Sequence, residues 1–177
     1  DYDHDYALFT YTQTGDRDAR DVLVADYHVR VSGGAPTTYT RVDSLPGQNT
    51  PTDRRNGMLT TRWFFVINTM FTPVPRTTAA QAYRAYLGLD IAKSQGLVVP
   101  EGVELIDYDD KGITAPECAA CHNTLDPLSY PFSRYHGIAG NFSARYDPQR
   151  MRRYGPEEGA RITEVPEAGH LLGEPVD

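Results

Sequence analysis

The chain runs to 177 residues with 40% hydrophobic and 23% charged side chains, enough to bury one modest core or two small units sharing one. Its net charge of −7 argues against nucleic acid as a partner and suits docking on a basic protein surface. No run of about 18 apolar residues is available to cross a bilayer and no signal peptide is visible, and the motifs of serine hydrolases, nucleotide-binding loops and zincins are missing.

The chain opens on Asp1-Tyr2-Asp3-His4-Asp5 and stops at Gly173-Glu174-Pro175-Val176-Asp177, so both ends read as cut and a piece of a longer or processed protein is expected. Residues 16–29 predict a helix, with an Asp-rich first turn that complements the helix dipole and Val22, Leu23 and Tyr27 at helical spacing. The breaker Ser32-Gly33-Gly34-Ala35-Pro36 follows, and residues 32–56 read as a long loop. Over 57–71, Leu59, Trp63, Val66, Ile67 and Met70 recur on one helical face, predicting an amphipathic helix with that stripe inward. Thr72-Pro73-Val74-Pro75 breaks it, since neither proline can donate a backbone hydrogen bond.

Thr77 or Thr78 then caps a helix expected to reach residue 94, with Tyr83, Tyr86, Leu87 and Ile91 as its apolar side and Gly96 as its stop. Residues 97–115 read as an extended approach with room for one short strand pair. The acidic run 107–110 reads as a solvated loop, with calcium or partner docking as the alternative. From Tyr154 onward, the Gly, Pro and Glu content predicts a tail that wraps the body rather than packing into it.

The only two cysteines stand in Cys118-Ala119-Ala120-Cys121-His122. This is the spacing of covalent haem attachment. Two thiols three residues apart can add to the two vinyl groups of one porphyrin while the adjacent imidazole reaches the iron. Cys118 and Cys121 are therefore read as thioether-forming residues and His122 as an axial ligand. A zinc site would need further paired ligands that the chain lacks. A redox dithiol expects a strand before its helix, whereas Pro116-Glu117 precedes this motif, and a plain disulfide leaves His122 unexplained. Covalent haem attachment is an export-side process, so a periplasmic or otherwise exported location is expected.

The residues after the pentad, His122-Asn123-Thr124-Leu125-Asp126-Pro127-Leu128-Ser129-Tyr130-Pro131-Phe132-Ser133-Arg134-Tyr135-His136-Gly137, carry a resemblance. They are similar to the planctomycete-type c-type cytochrome domains, large exported bacterial haem proteins in which Cys-x-x-Cys-His is followed by Asp-Pro and an aromatic segment. Upstream, Asp16-Arg17 with Leu23-Val24-Ala25-Asp26-Tyr27, then Arg55-Asn56-Gly57-Met58-Leu59-Thr60, then Pro75-Arg76 with Leu87-Gly88 resemble that family's earlier motifs in order. Two positions depart from its pattern: Ser129 stands where Gly is usual, and His136 where Asp is usual. The resemblance implies export, covalent haem and redox work, and it implies no substrate.

The opposite iron position decides between carrier and catalyst. Met70 is the leading candidate, at the end of an apolar face just before a backbone break. Met58 and His28 are runners-up, and Met151, His4, His136 and His170 are the other candidates. Trp63, Tyr130 and Phe132 are read as haem-lining residues, with Tyr83, Tyr86 and Tyr135 also suited, and Arg76, Arg134 or Arg145 as propionate partners; core packing and solvated surface are the plainer roles.

These readings give a mainly α, c-type cytochrome-like helical domain with long irregular loops: a helical part at 1–100 packing on the haem, a haem-attachment segment at 101–146, and an irregular tail at 147–177. The expected function is one-electron transfer between protein partners by a monohaem c-type cytochrome unit within a larger redox assembly. Membrane association would come only through those partners. The alternatives are a peroxidase-like haem enzyme with an open distal site, and a structural subunit of a redox or photosynthetic complex.

Overall fold

The computed structural model describes residues 2–48, 50–69, 73–97, 99, 101–137, 145–154 and 159–177, without the side chains of 2–4 and 154. The chain divides into two compact units, one comprising Asp1–Ile67 with His136–Tyr146, the other Asn68–Tyr135 with Asp147–Asp177. Six α-helices, five short 3-10 turns and three two-stranded sheets are present among the described residues. About 45% of the described residues are helical and 13% strand, so the expected mainly α, cytochrome-like class gives way to a small mixed fold.

The first unit begins with α1, Tyr2–Thr14, a helix that the sequence reading did not place. Threonines and aromatics weaken its intrinsic propensity. Thr10, Thr12 and Thr14 turn their hydroxyls back onto the carbonyls of Tyr6, Phe9 and Thr10, and burial of Ala7 and Leu8 holds the helix in place. The predicted helix over 16–29 shrinks to α2, Asp21–Val24. At Ala25 the backbone turns extended, and the Ala25 carbonyl accepts the Gly57 N–H at 2.8 Å instead of continuing the helix.

β1, His28–Ser32, then pairs antiparallel with β2, Thr38–Val42, His28 opposite Val42 and Ser32 opposite Thr38. The predicted loop over 32–56 thus contains half a hairpin. The Gly33-Gly34-Ala35-Pro36 stretch that reads as a breaker is its turn. Ala7, Leu8, Ala25, Tyr27 and Val29 form one apolar cluster, with Tyr11 and Tyr39 against it, so α1 packs on the hairpin.

The amphipathic helix predicted over 57–71 is also divided, into a 3-10 turn, Gly57–Thr60, and α3, Arg62–Asn68. Its stripe does not face inward: Trp63 and Ile67 are 50% and 49% exposed, while Phe64 and Phe65 are buried. Two contacts fix this phase. Thr61 Oγ1 accepts the Phe64 N–H at 3.2 Å as an N-terminal cap, and the Asp5 carboxylate, brought over by α1, accepts the Trp63 N–H at 3.0 Å.

In the second unit α4, Arg76–Leu87, starts one residue before the expected cap, with Pro75 as its N-cap. It ends at Gly88 rather than Gly96. Gly88 adopts φ 63°, and the Leu89 N–H reaches back to the Tyr83 carbonyl at 3.2 Å, the six-to-one bond of a Schellman close. Residues 97–115 form no strand among the described residues. Their acidic run is not simply solvated, because Asp109 is buried and only 6% exposed.

Asp107 in the same run accepts the N–H groups of Lys111 at 3.0 Å and Gly112 at 2.6 Å. Burial tends to raise its pKa, but these backbone bonds outweigh that and lower it from 3.8. A depressed carboxyl pKa contributes stability above the unfolded value and loses it as pH falls through the folded one. The stability difference between wild type and Asp107→Asn, measured by urea unfolding, is therefore expected at neutral pH and to shrink as pH falls below 3.8. A difference that stays constant through that window would contradict this assignment.

α5, Pro116–Ser129, begins with Pro at its first position, where the missing N–H costs nothing, and carries Glu117 in its first turn. Asp126-Pro127 lies inside this helix. Among the described residues of the tail expected from Tyr154 onward, Ala160, Ile162 and Val165 pack in rather than wrap around. Met151 on α6, Arg150–Tyr154, joins Ala160, Ile162, Val165, Val74, Tyr108 and Tyr130 in the apolar core, and the buried Arg150 guanidinium donates to the carbonyls of Pro73 and Ser133 at 3.0 and 2.6 Å. β5, Gly169–Leu171, pairs with β6, Glu174–Val176, and lies on α5.

Candidate functional site

The pentad occupies the N-terminal half of α5, where residues three and four apart share a face. Cys118 and Cys121 are both free thiols, Cys118 exposed and Cys121 half-buried with its Sγ 3.9 Å from the Ile91 carbonyl. They are not joined in a disulfide. His122 follows on the same side of the helix and is 23% exposed.

The imidazole is held from behind. Its Nδ1 lies 2.7 Å from Oδ1 of Asp126, one helical turn on. A carboxylate can only accept, so Nδ1 carries a proton, and in the neutral ring the lone pair is then on Nε2. Asp126 is in turn fixed by Arg76, the first residue of α4, whose Nε stands 3.0 Å from both carboxylate oxygens and whose Nη2 stands 2.9 Å from Oδ2. The other edge of the guanidinium takes Asp109, with Nη1 and Nη2 each 2.8 Å from one of its oxygens. Burial would loosen the Arg76 proton, but the two carboxylates outweigh burial and raise its pKa.

Nearby, the Tyr83 hydroxyl donates to the Thr124 carbonyl at 3.1 Å, tying α4 to α5 just before Pro127. Tyr130 stacks edge-on against Tyr108, ring centroids 5.6 Å apart. Its buried hydroxyl has no hydrogen-bond partner among the described residues. Burial, then the negative charge of Asp126, pushes its pKa up.

The structure brings together only part of what the sequence proposed. Cys118, Cys121 and His122 share a helix, and Arg76 reaches their neighbourhood, though it binds Asp109 and Asp126 rather than standing free. Arg134 is engaged by Glu167 and the Val165 carbonyl. Tyr130 and Phe132 are buried beyond the end of α5, Tyr130 inside the apolar core, whereas Trp63 belongs to the first unit and is half exposed. Met70 lies outside the described residues, as does the side chain of His4. Met151 is core, His28 is a buried residue of β1, Met58 sits in the Gly57–Thr60 turn, and His136 and His170 are half-buried on short strands. Asp109 was missed, because an acidic run gives no sign of which carboxylate turns inward.

No protein-family model, curated protein or solved structure matches this chain. Among the described residues no three His, Cys, Asp or Glu side chains are grouped to hold a bare metal ion. The donor set suits a group that brings its own metal: two uncrosslinked thiols on one side of a helix, and beside them an imidazole whose Nδ1 is occupied and whose Nε2 is kept as a lone-pair donor.

Proposed function

We propose that this chain is a monohaem c-type cytochrome unit, exported and passing single electrons between protein partners, as its resemblance to the planctomycete-type domains implies. Haem, when bound, supplies the one-electron couple. Cys118 and Cys121 would tether it through thioethers, and His122 would hold its iron through Nε2. The observation that carries the reading is this pentad on one helix, both thiols free and the imidazole tautomer already set by Asp126. No substrate needs to bind for such work. The net charge of −7 supports docking on a basic partner, and among the described residues no helix is long and apolar enough to cross a membrane. Met70, read from the sequence as the opposite axial ligand, is not needed for this proposal.

The test is expression with a haem-attachment apparatus, followed by denaturation and haem staining. Wild type is expected to keep one haem per chain through denaturation, and Cys118→Ser/Cys121→Ser to keep none. A wild-type chain with no covalently retained haem would return the two cysteines to thiol chemistry.

A further inference from the structure

A helix needs no buried charge behind a partly exposed histidine, yet His122 has a chain of it, through Asp126 and Arg76 to Asp109. We infer that Asp126 is a positioning residue for the axial imidazole, and that Asp109, acting through Arg76, adds negative charge behind it, so that together they lower the reduction potential of the site. This rests on the haem reading of His122.

The hydrogen bond supplies the first half of the effect. An Nδ1–H that donates to a carboxylate gives the ring more anionic character than one that donates to a neutral carbonyl, and so makes Nε2 a stronger donor. Asp126 cannot swing away or trade this bond for water. It is 1% exposed, and Arg76 grips both of its oxygens. The ring plane and the lone-pair direction are therefore set by a side chain that is itself locked.

Charge supplies the second half. One Asp–Arg pair would be neutral and would suffice to brace α4 against α5. Here the same guanidinium faces two carboxylates, their side chains 1% and 4% exposed, so one negative charge is left without a matching cation inside the cluster. In a poorly solvated region that charge is weakly screened. It favours the oxidised iron, which carries one more positive charge than the reduced form. Asp109 contributes without touching the histidine, because Arg76 would otherwise neutralise Asp126 completely.

The test is a potentiometric titration of the haem-loaded protein beside Asp126→Asn and Asp109→Asn, with thermal unfolding run on the same samples. The midpoint potential is expected to rise in both variants, and to rise more in Asp126→Asn, which puts a neutral amide oxygen in place of the charged acceptor of the His122 bond and removes the charge nearest the ring. A merely structural role would lower the melting temperature of both variants and leave the potential at its wild-type value, which overturns the inference. If Asp126→Asn does not accumulate, Asp109→Asn alone decides, since it leaves the Asp126 bond to His122 in place. A wild-type protein without haem overturns the functional reading and this inference with it; a haem-loaded wild type whose variants keep its potential overturns this inference alone.

Discussion

Arg76→Leu is expected to cost the fold about 3–5 kcal/mol, the usual penalty for removing one partner of a buried ion pair. The reason lies in what the substitution leaves behind. Asp109 and Asp126 are 6% and 1% exposed, and Arg76 makes bidentate contact with each. Without the guanidinium, two carboxylates face each other in a site that water barely reaches. Leucine fills part of the volume but neutralises nothing. Arg76→Lys restores the charge without the planar fork, and an ammonium cannot hold two carboxylates in parallel pairs, so it should recover only part of the loss. Urea unfolding of the variants measures this directly. A loss below about 1 kcal/mol for Arg76→Leu would mean that the carboxylates find other partners, and that the cluster contributes little to the fold.

Gly169→Ala is the second large effect. A Cβ built at Gly169 stands 1.9 Å from the Pro127 carbonyl oxygen and 2.7 Å from Pro131 Cδ. Both neighbours are stiff, one being main chain of α5 and the other a proline ring. Relief must come from moving β5, and Gly169 is paired with Val176 in the β5–β6 hairpin, so that movement also strains the hairpin. A penalty of about 3 kcal/mol is expected, the upper end for overpacking, because no flexible side chain can give way. Gly33→Ala, where nothing stands within 4 Å of the added carbon, is the control and should change stability little. Equal melting temperatures for the two variants would show that β5 does not pack on α5 as closely as described.

Arg76 and Gly169 make the same point about what could be read in advance. Arg76 stands out in the sequence as a cation after a proline break, one of three arginines suited to a haem propionate; its partners lie 33 and 50 residues away, beyond any local pattern. Gly169 sits in a segment whose composition reads as a loose tail, and only the approach of α5 makes its missing Cβ necessary. In α3, too, helical periodicity correctly indicated a helix but chose the wrong face. The stripe of Leu59, Trp63, Val66 and Ile67 assumed one unbroken helix from residue 57, whereas the Thr61 cap starts the phase anew.

The hairpin at 28–42 shows how a local signal can be outweighed. His28-Val29-Arg30-Val31-Ser32 alternates as a strand should, but the helix expected over 16–29 takes its first two residues and the loop expected over 32–56 its last. Pairing with Thr38–Val42 and burial against α1 decided the matter, and neither is a property of five residues.

By itself the sequence determined the spacing of two thiols and an adjacent imidazole, a covalent fact that no folding alters. It also determined the break before α4, where backbone sterics act over one or two residues. Tertiary structure alone decided the fold class, the inward face of α3 and the guanidinium that holds Asp126. Those depend on which distant groups share a water-poor space, and there a carboxylate such as Asp109 turns inward only because a guanidinium from another helix is waiting for it.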